Sequence, residues 1–250
     1  MQPSPRFERQ SEKAHMKRLF LIVFLAFVTA SGFAQKTTLP IPSFTEVDVF
    51  GPFDVKLIKS DTERAEIDFN GIDKEDIIYE FRNGTLRLKL RNSHYMDEWK
   101  NNNHKSKYVL VNVYYKDIDI IEAAAGALVT SKELLKSKYL NVECSMGAEV
   151  TLEILAKKIE ATSSMGGVLE MSGQTEHLEV KANMGGVLKA AHLESKTVYV
   201  KANMGADVIV NATEELDASA GFGASVEYVG GPTVRNTSKN FGGEVNKKGN

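Results

Sequence analysis

The 250-residue chain has one cysteine, one tryptophan and six prolines, and its 31 basic residues do not outnumber its 33 acidic ones. Each shortage excludes something. A lone Cys144 cannot close an intramolecular disulfide, so the fold is not stapled. A formal charge of −2 leaves no basic footprint for nucleic acid. Beyond the run Leu19 to Val28, no apolar stretch is long enough to span a bilayer as a helix. The chain also lacks a Gly-x-Ser-x-Gly elbow, a phosphate-binding loop and a His-Glu-x-x-His pair, each of which would point to a particular chemistry.

What the N-terminus does have is a leader pattern. Met16-Lys17-Arg18 is a basic start, Leu19 to Val28 an apolar middle, and Gly32 and Ala34 are small residues placed for cleavage before Gln35. Residues 16–34 therefore read as a signal peptide, and residues 1–15 as an upstream extension outside the fold. Cleavage removes five basic and two acidic residues, leaving 26 against 31 and a formal charge of −5. Export without a disulfide fits the envelope of a Gram-negative cell: periplasm, cell surface or medium. Cys144 is not at the cleavage junction, where a lipid would be attached.

The second half is built on one recurring phrase. It reads Cys144-Ser-Met-Gly-Ala-Glu-Val150, Ser163-Ser-Met-Gly-Gly-Val-Leu169, Ala182-Asn-Met-Gly-Gly-Val-Leu188, Ala202-Asn-Met-Gly-Ala-Asp-Val208 and Ala220-Gly-Phe-Gly-Ala-Ser-Val226. Looser copies stand at 123–129 and 240–245. The marker glycines Gly126, Gly147, Gly166, Gly185, Gly205, Gly223 and Gly242 follow one another at 21, 19, 19, 20, 18 and 19 residues. A fixed period of that length marks a solenoid, in which each unit buries its apolar face only against its neighbours.

Within each unit apolar and polar residues alternate. Leu140, Val142, Cys144, Met146, Ala148, Val150, Leu152 and Ile154 share one parity, and Asn141, Glu143, Ser145, Gly147, Glu149, Thr151 and Glu153 the other. A period of two belongs to strands with one face buried, and on a helix it would scatter apolar residues round every side. The frame of a leucine-rich repeat is missing. The expectation is an all-β, single-stranded parallel β-helix with coils of about 19 residues and a corner at each Met-Gly step. On this parity the column Met146, Met165, Met184, Met204, Phe222 points into the core, where methionine fills irregular gaps. A soft-metal role for the thioethers is set aside on that ground, and because Phe222 shares the column.

Residues 35–43 read as a linker, 44–117 as irregular coils, 118–245 as regular coils and 246–250 as a tail. Strands are expected at 44–50, 53–59, 65–70, 77–82, 85–91 and 107–115. Asn83-Gly84 is the strongest hairpin signal, and Gly51-Pro52 is a sharp break. This region should cap one end of the stack. Residues 92–105 form a polar loop, and 132–136 are expected to make one helical turn.

The segment Phe44-Thr-Glu-Val-Asp-Val-Phe-Gly-Pro-Phe-Asp-Val-Lys-Leu57 resembles the start of the putative auto-transporter adhesin head GIN domain family, DUF2807, a family of unknown function. Asn83-Gly84-Thr-Leu-Arg-Leu88, the strand 109–114 and the later Gly-Ala coils are similar too, so the resemblance covers about residues 42–245. It implies a right-handed β-helix of the kind exported by Bacteroidetes, with no catalytic residues to carry over.

No set of residues has the composition of an active site. The outward columns beside the corner read Ser145, Ser164, Asn183, Asn203, Gly221 and Glu149, Val168, Val187, Asp207, Ser225, without the paired carboxylates that acid–base chemistry needs. His177 and His192 read as turn residues, and Cys144 as a small, inert core residue. His94 and His104 share a loop with Asp97 and Glu98 that is too rich in asparagine to preorganise metal ligands. No cofactor and no metal is expected. The candidate contact residues are Tyr95 and Trp99 in the loop, with the polar ladder Ser145, Ser164, Asn183 and Asn203. The expectation is a non-enzymatic, adhesin-like or scaffolding protein that meets envelope polysaccharide or a surface protein. A carbohydrate-binding or polysaccharide-processing β-helix protein is the alternative, and open ends invite weak self-association.

Overall fold

The computed structural model describes residues 36–249, apart from 71, 92–107 and 132. It is a β-solenoid, nearly all strand, with one 3-10 turn at Lys74–Asp76. The first third contributes β1 (Lys36–Pro40), β2 (Glu46–Phe50), β3 (Phe53–Lys59), β4 (Arg64–Asp68), β5 (Ile77–Arg82), β6 (Thr85–Leu90) and β7 (Val109–Tyr115). The regular coils follow as β8 (Ile120–Ala124), β9 (Leu128–Ser131), β10 (Leu135–Cys144), β11 (Glu149–Ser164), β12 (Val168–Asn183), β13 (Val187–Ala202) and β14 (Asp207–Ala220). They end with β15 (Ser225–Gly230), β16 (Val234–Lys239) and β17 (Glu244–Lys247).

From β10 onward each coil is stacked in parallel on the one before, with the register advancing one repeat per coil: Val142 opposes Ala161, Ala161 opposes Val180, and Val180 opposes Val200. Parallel stacking turns each inward position into a column, so the core is a continuous stack of Val, Leu, Ile and Ala buried from Val47 to Val226. Each of β11, β12 and β13 is 16 residues long and runs unbroken from one corner to the next.

The corner itself corrects the sequence reading. Met146, Met165, Met184, Met204, Phe222 and Phe241 have φ between +44° and +52°, and the glycine after each is also positive. The N–H of Ala148 donates to the Ser145 carbonyl at 3.0 Å, and that of Gly186 to the Asn183 carbonyl at 3.0 Å, closing four-residue turns of type I′. Both central residues of such a turn project away from the core. The methionines are therefore exposed, not buried. Three outward residues separate Cys144 from Ala148, an odd number, so the alternation resumes in phase and hides the interruption. Met171 is the only core methionine among the described residues.

The turn also explains why the core beside it is small. It brings the two strands of a coil close together, and only Cys144, Ser163, Ala182, Ala202 and Ala220 face Ala148, Gly167, Gly186, Ala206 and Ala224 there. Ser163 Oγ donates to the Gly167 carbonyl at 2.7 Å, which satisfies a hydroxyl buried in this narrow edge. Further from the corner the wedge widens and takes Leu140, Leu152 and Ile154.

The N-terminal region caps the stack, but not in chain order. The coil made by β2 and β3 lies between two later ones: β6 and β7 pair on one side, β8 and β9 on the other, all parallel. β4 runs antiparallel to β7, and β1, in the segment expected as linker, runs antiparallel to β4. The hairpin β5–β6 closes through Asn83 and Gly84, both at positive φ. The expected helical turn at 132–136 is not formed: Leu135 already opens β10, while residue 132 lies outside the described residues. At the far end β16 loses the alternation and is exposed throughout, with Arg235 and Lys239 on the edge, where charge discourages further strand addition.

Candidate functional site

Of the residues singled out from the sequence, the structure aligns Ser145, Ser164, Asn183 and Asn203 in one column, each half-buried and each the first residue of its corner turn. Asn240 continues the column, a member the sequence reading left out although its motif carried the signal. A Cβ at Gly221 would lie 2.9 Å from Asn203 Oδ1 and overlap Asn240 Oδ1, so the two amides lean over the gap that the glycine leaves. The ladder is a shallow polar shelf, one strand spacing (~4.8 Å) per step. Tyr95, Trp99, His94 and His104 lie outside the described residues. His177 and His192 are exposed and stand in different columns, opposite Thr197 and Ser172 respectively.

Directly beside the shelf runs the ridge that parity reasoning missed. Met146, Met165, Met184 and Met204 are 42 % to 58 % exposed, and Phe222 and Phe241 continue the line. The two phenylalanine rings stack with centroids 4.7 Å apart and planes 14° from parallel. The backbone beneath is stitched from coil to coil: the N–H of Gly147 donates to the Met165 carbonyl at 3.2 Å, and that of Gly185 to the Met204 carbonyl at 3.0 Å. What could have revealed the ridge is turn chemistry, because two successive residues at positive φ need a step with no inward side chain.

The adjoining strand face is electrostatically graded. Register places Arg87, Asp48, Glu122 and Glu143 in one outward column, followed by Thr162, Lys181 and Lys201. Arg87 Nε donates to Asp48 Oδ2 at 2.6 Å. Glu122 has its pKa raised, first by burial and then by the neighbouring charges of Asp48, Glu143 and Glu46, with Arg87 opposing. Cys144 is buried, and burial pushes its thiol up to about 11, so it is not a nucleophile at neutral pH.

On the opposite edge the chain bends a second time, and the bend leaves an open trough of about 450 Å³ lined by Leu155, Lys157, Gln174, Glu176, Glu194 and Lys196 among others. Thr175 Oγ1 donates to the Lys157 carbonyl at 3.3 Å, one of several Ser and Thr hydroxyls that hold this second corner. Among the described residues no three His, Cys, Asp or Glu side chains converge. No helix among them is long and apolar enough to cross a membrane.

Residues 43–232 match the family described as putative auto-transporter adhesin, head GIN domain (DUF2807). A putative adhesin from Bacteroides fragilis has the same fold, with a TM-score of 0.76 at 19% identity over 87% of this chain and 98% of that one. A putative adhesin from Parabacteroides distasonis gives 0.66 at 18% identity, over 87% and 98%. A structure from the same organism described as a putative lipid binding protein gives 0.62 at 17%, over 88% and 98%. No curated protein matches the chain.

Proposed function

Because the chain belongs to the family of putative auto-transporter adhesin head GIN domains, we propose that it is a non-enzymatic, exported protein of the bacterial cell envelope with an adhesin-like or scaffolding role. Its partner is an envelope polysaccharide or a surface protein, met by the outward shelf and the strand face beside it. The observation that carries the reading is the constant pitch of Ser145, Ser164, Asn183 and Asn203 on consecutive coils. Hydroxyl and amide groups repeated at one strand spacing on a backbone-bonded frame suit a partner that itself repeats, and a frame already ordered loses little entropy on binding.

The test is binding of the purified protein to a glycan array and to envelope fractions, with Asn183→Asp and Asn203→Asp placing charge on the shelf. Loss of binding in those variants, with Lys157→Ala in the distant trough unaffected, supports the assignment. Binding that survives them, or turnover of a polysaccharide, overturns it. Protease accessibility of the native protein in intact cells separates cell surface from periplasm.

A further inference from the structure

The six ridge positions pose a question that packing does not answer. The first central position of a type I′ turn takes Asn, Asp or Gly cheaply, whereas another residue there costs roughly 1–2 kcal/mol. This chain uses the cheap solution at its true hairpin, where Asn83 has φ +53°, and again at Asn70, φ +49°. At four consecutive corners it instead sets methionine at φ +48° to +52° and leaves it exposed. The same turn position holds Ala125 at φ +57°, Phe222 at +51° and Phe241 at +44°, so neither the backbone angle nor the core selects methionine, and what remains to be explained is a run of four exposed sulfurs on consecutive coils.

We infer that Met146, Met165, Met184 and Met204 form a thioether ladder that binds a soft monovalent cation, Cu(I), between sulfurs of adjacent coils. The four side chains leave equivalent backbone points one strand spacing apart, ~4.8 Å. That is about the span of two metal–sulfur bonds of ~2.3 Å each. Thioethers select Cu(I) over the harder cations of the envelope. Three rotatable bonds let each side chain take up small mismatches. A soft cation needs no hard carboxylate among its ligands, and none joins the sulfurs in the column. Phe222 and Phe241 close the line by stacking on each other, so the sulfur run ends at Met204. A purely apolar contact ridge would be indifferent to replacing sulfur by carbon, and that difference makes the inference testable.

The experiment titrates the purified protein with Cu(I), under reducing and oxygen-free conditions, against a chromogenic Cu(I) chelator. In parallel, Ag(I) is titrated while the methionine ε-methyl NMR signals are followed. The expected result is that the signals of Met146, Met165, Met184 and Met204 move on addition of Ag(I), while that of buried Met171 stays. Competition for Cu(I) is lost when all four are changed to Leu and kept in Phe222→Leu and Cys144→Ser. Leucine retains the apolar surface and adds no new backbone demand, and an unchanged far-UV spectrum certifies the fold. Cu(I) uptake that persists in the quadruple variant, that vanishes with Cys144→Ser, or that never outcompetes the chelator overturns the assignment.

Discussion

Three glycine-to-alanine substitutions separate two kinds of constraint that the coils impose, backbone angle and proximity to the neighbouring coil. Gly185 has φ +70°, and a Cβ built there meets nothing within 4 Å. Only the angle opposes alanine, at about 1 kcal/mol. Gly167 has an ordinary φ, but its Cβ would overlap the Cys144 carbonyl oxygen and lie 2.7 Å from the carbonyl carbon. That carbonyl belongs to the backbone of the preceding coil and cannot rotate away, so overpacking costs about 1–3 kcal/mol. Gly173 combines both: φ is +110°, and a Cβ would fall on the Ile154 carbonyl oxygen. The expected loss there is about 3–5 kcal/mol. For a chain of this size each kcal/mol lowers Tm by about 2–4 °C. Gly185→Ala should therefore melt only a few degrees low, Gly167→Ala lower, and Gly173→Ala about 6–20 °C low by circular dichroism and calorimetry. Hydrogen exchange should place the Gly173→Ala weakening in the coils on either side of Ile154, because solenoid coupling is local. Gly185→Ala as damaging as Gly173→Ala, or a neutral Gly173→Ala, would refute the described coil-to-coil approach.

Met184→Asn should raise stability by about 1 kcal/mol in thermal melts, since asparagine takes a positive φ more readily, and a loss would show that the methionine packs. For Glu122, a folded-state pKa above the unfolded one means that the native state holds the proton more tightly, so its contribution worsens as pH rises through that window. Glu122→Gln should therefore be more stable than the parent at pH 7, with the difference vanishing below the ordinary carboxylate range. A gain that grows on acidification contradicts the sign. Cys144, with its thiol pushed up to about 11, should resist an aromatic disulfide reagent at pH 8 until the protein is unfolded. Prompt labelling of the native protein would place the thiol outside the core.

Much of the architecture is legible because period-two alternation and a regular marker are both strong signals. The strands at 53–59 and 77–82 coincide with β3 and β5, and Asn83-Gly84 forms the hairpin its residues specify. The second corner left a fainter mark: no glycine or proline is common to its copies, and its trace is a slip of parity, as at Lys157 and Lys158, two outward residues in a row that move the buried set from Ile154 and Ala156 to Ile159 and Ala161. The position of the β2–β3 coil was hidden, since strand spacing fixes which residues face inward but not which coil lies above. The ridge was misplaced for a third reason. A two-residue turn at positive φ preserves parity, so an inward and an outward methionine produce the same written pattern.

The position of the β2–β3 coil bears on how the chain assembles. As the polypeptide emerges N-terminus first, residues 46–59 have no mate on either side until β6 and β7 arrive to seal one flank and β8 and β9 the other. Non-local pairing of that kind is slow to close. Every later coil merely accretes onto a finished rim, one repeat at a time. The kinetic bottleneck therefore falls within residues 46–131, and the long regular section is laid down afterwards like courses on a foundation.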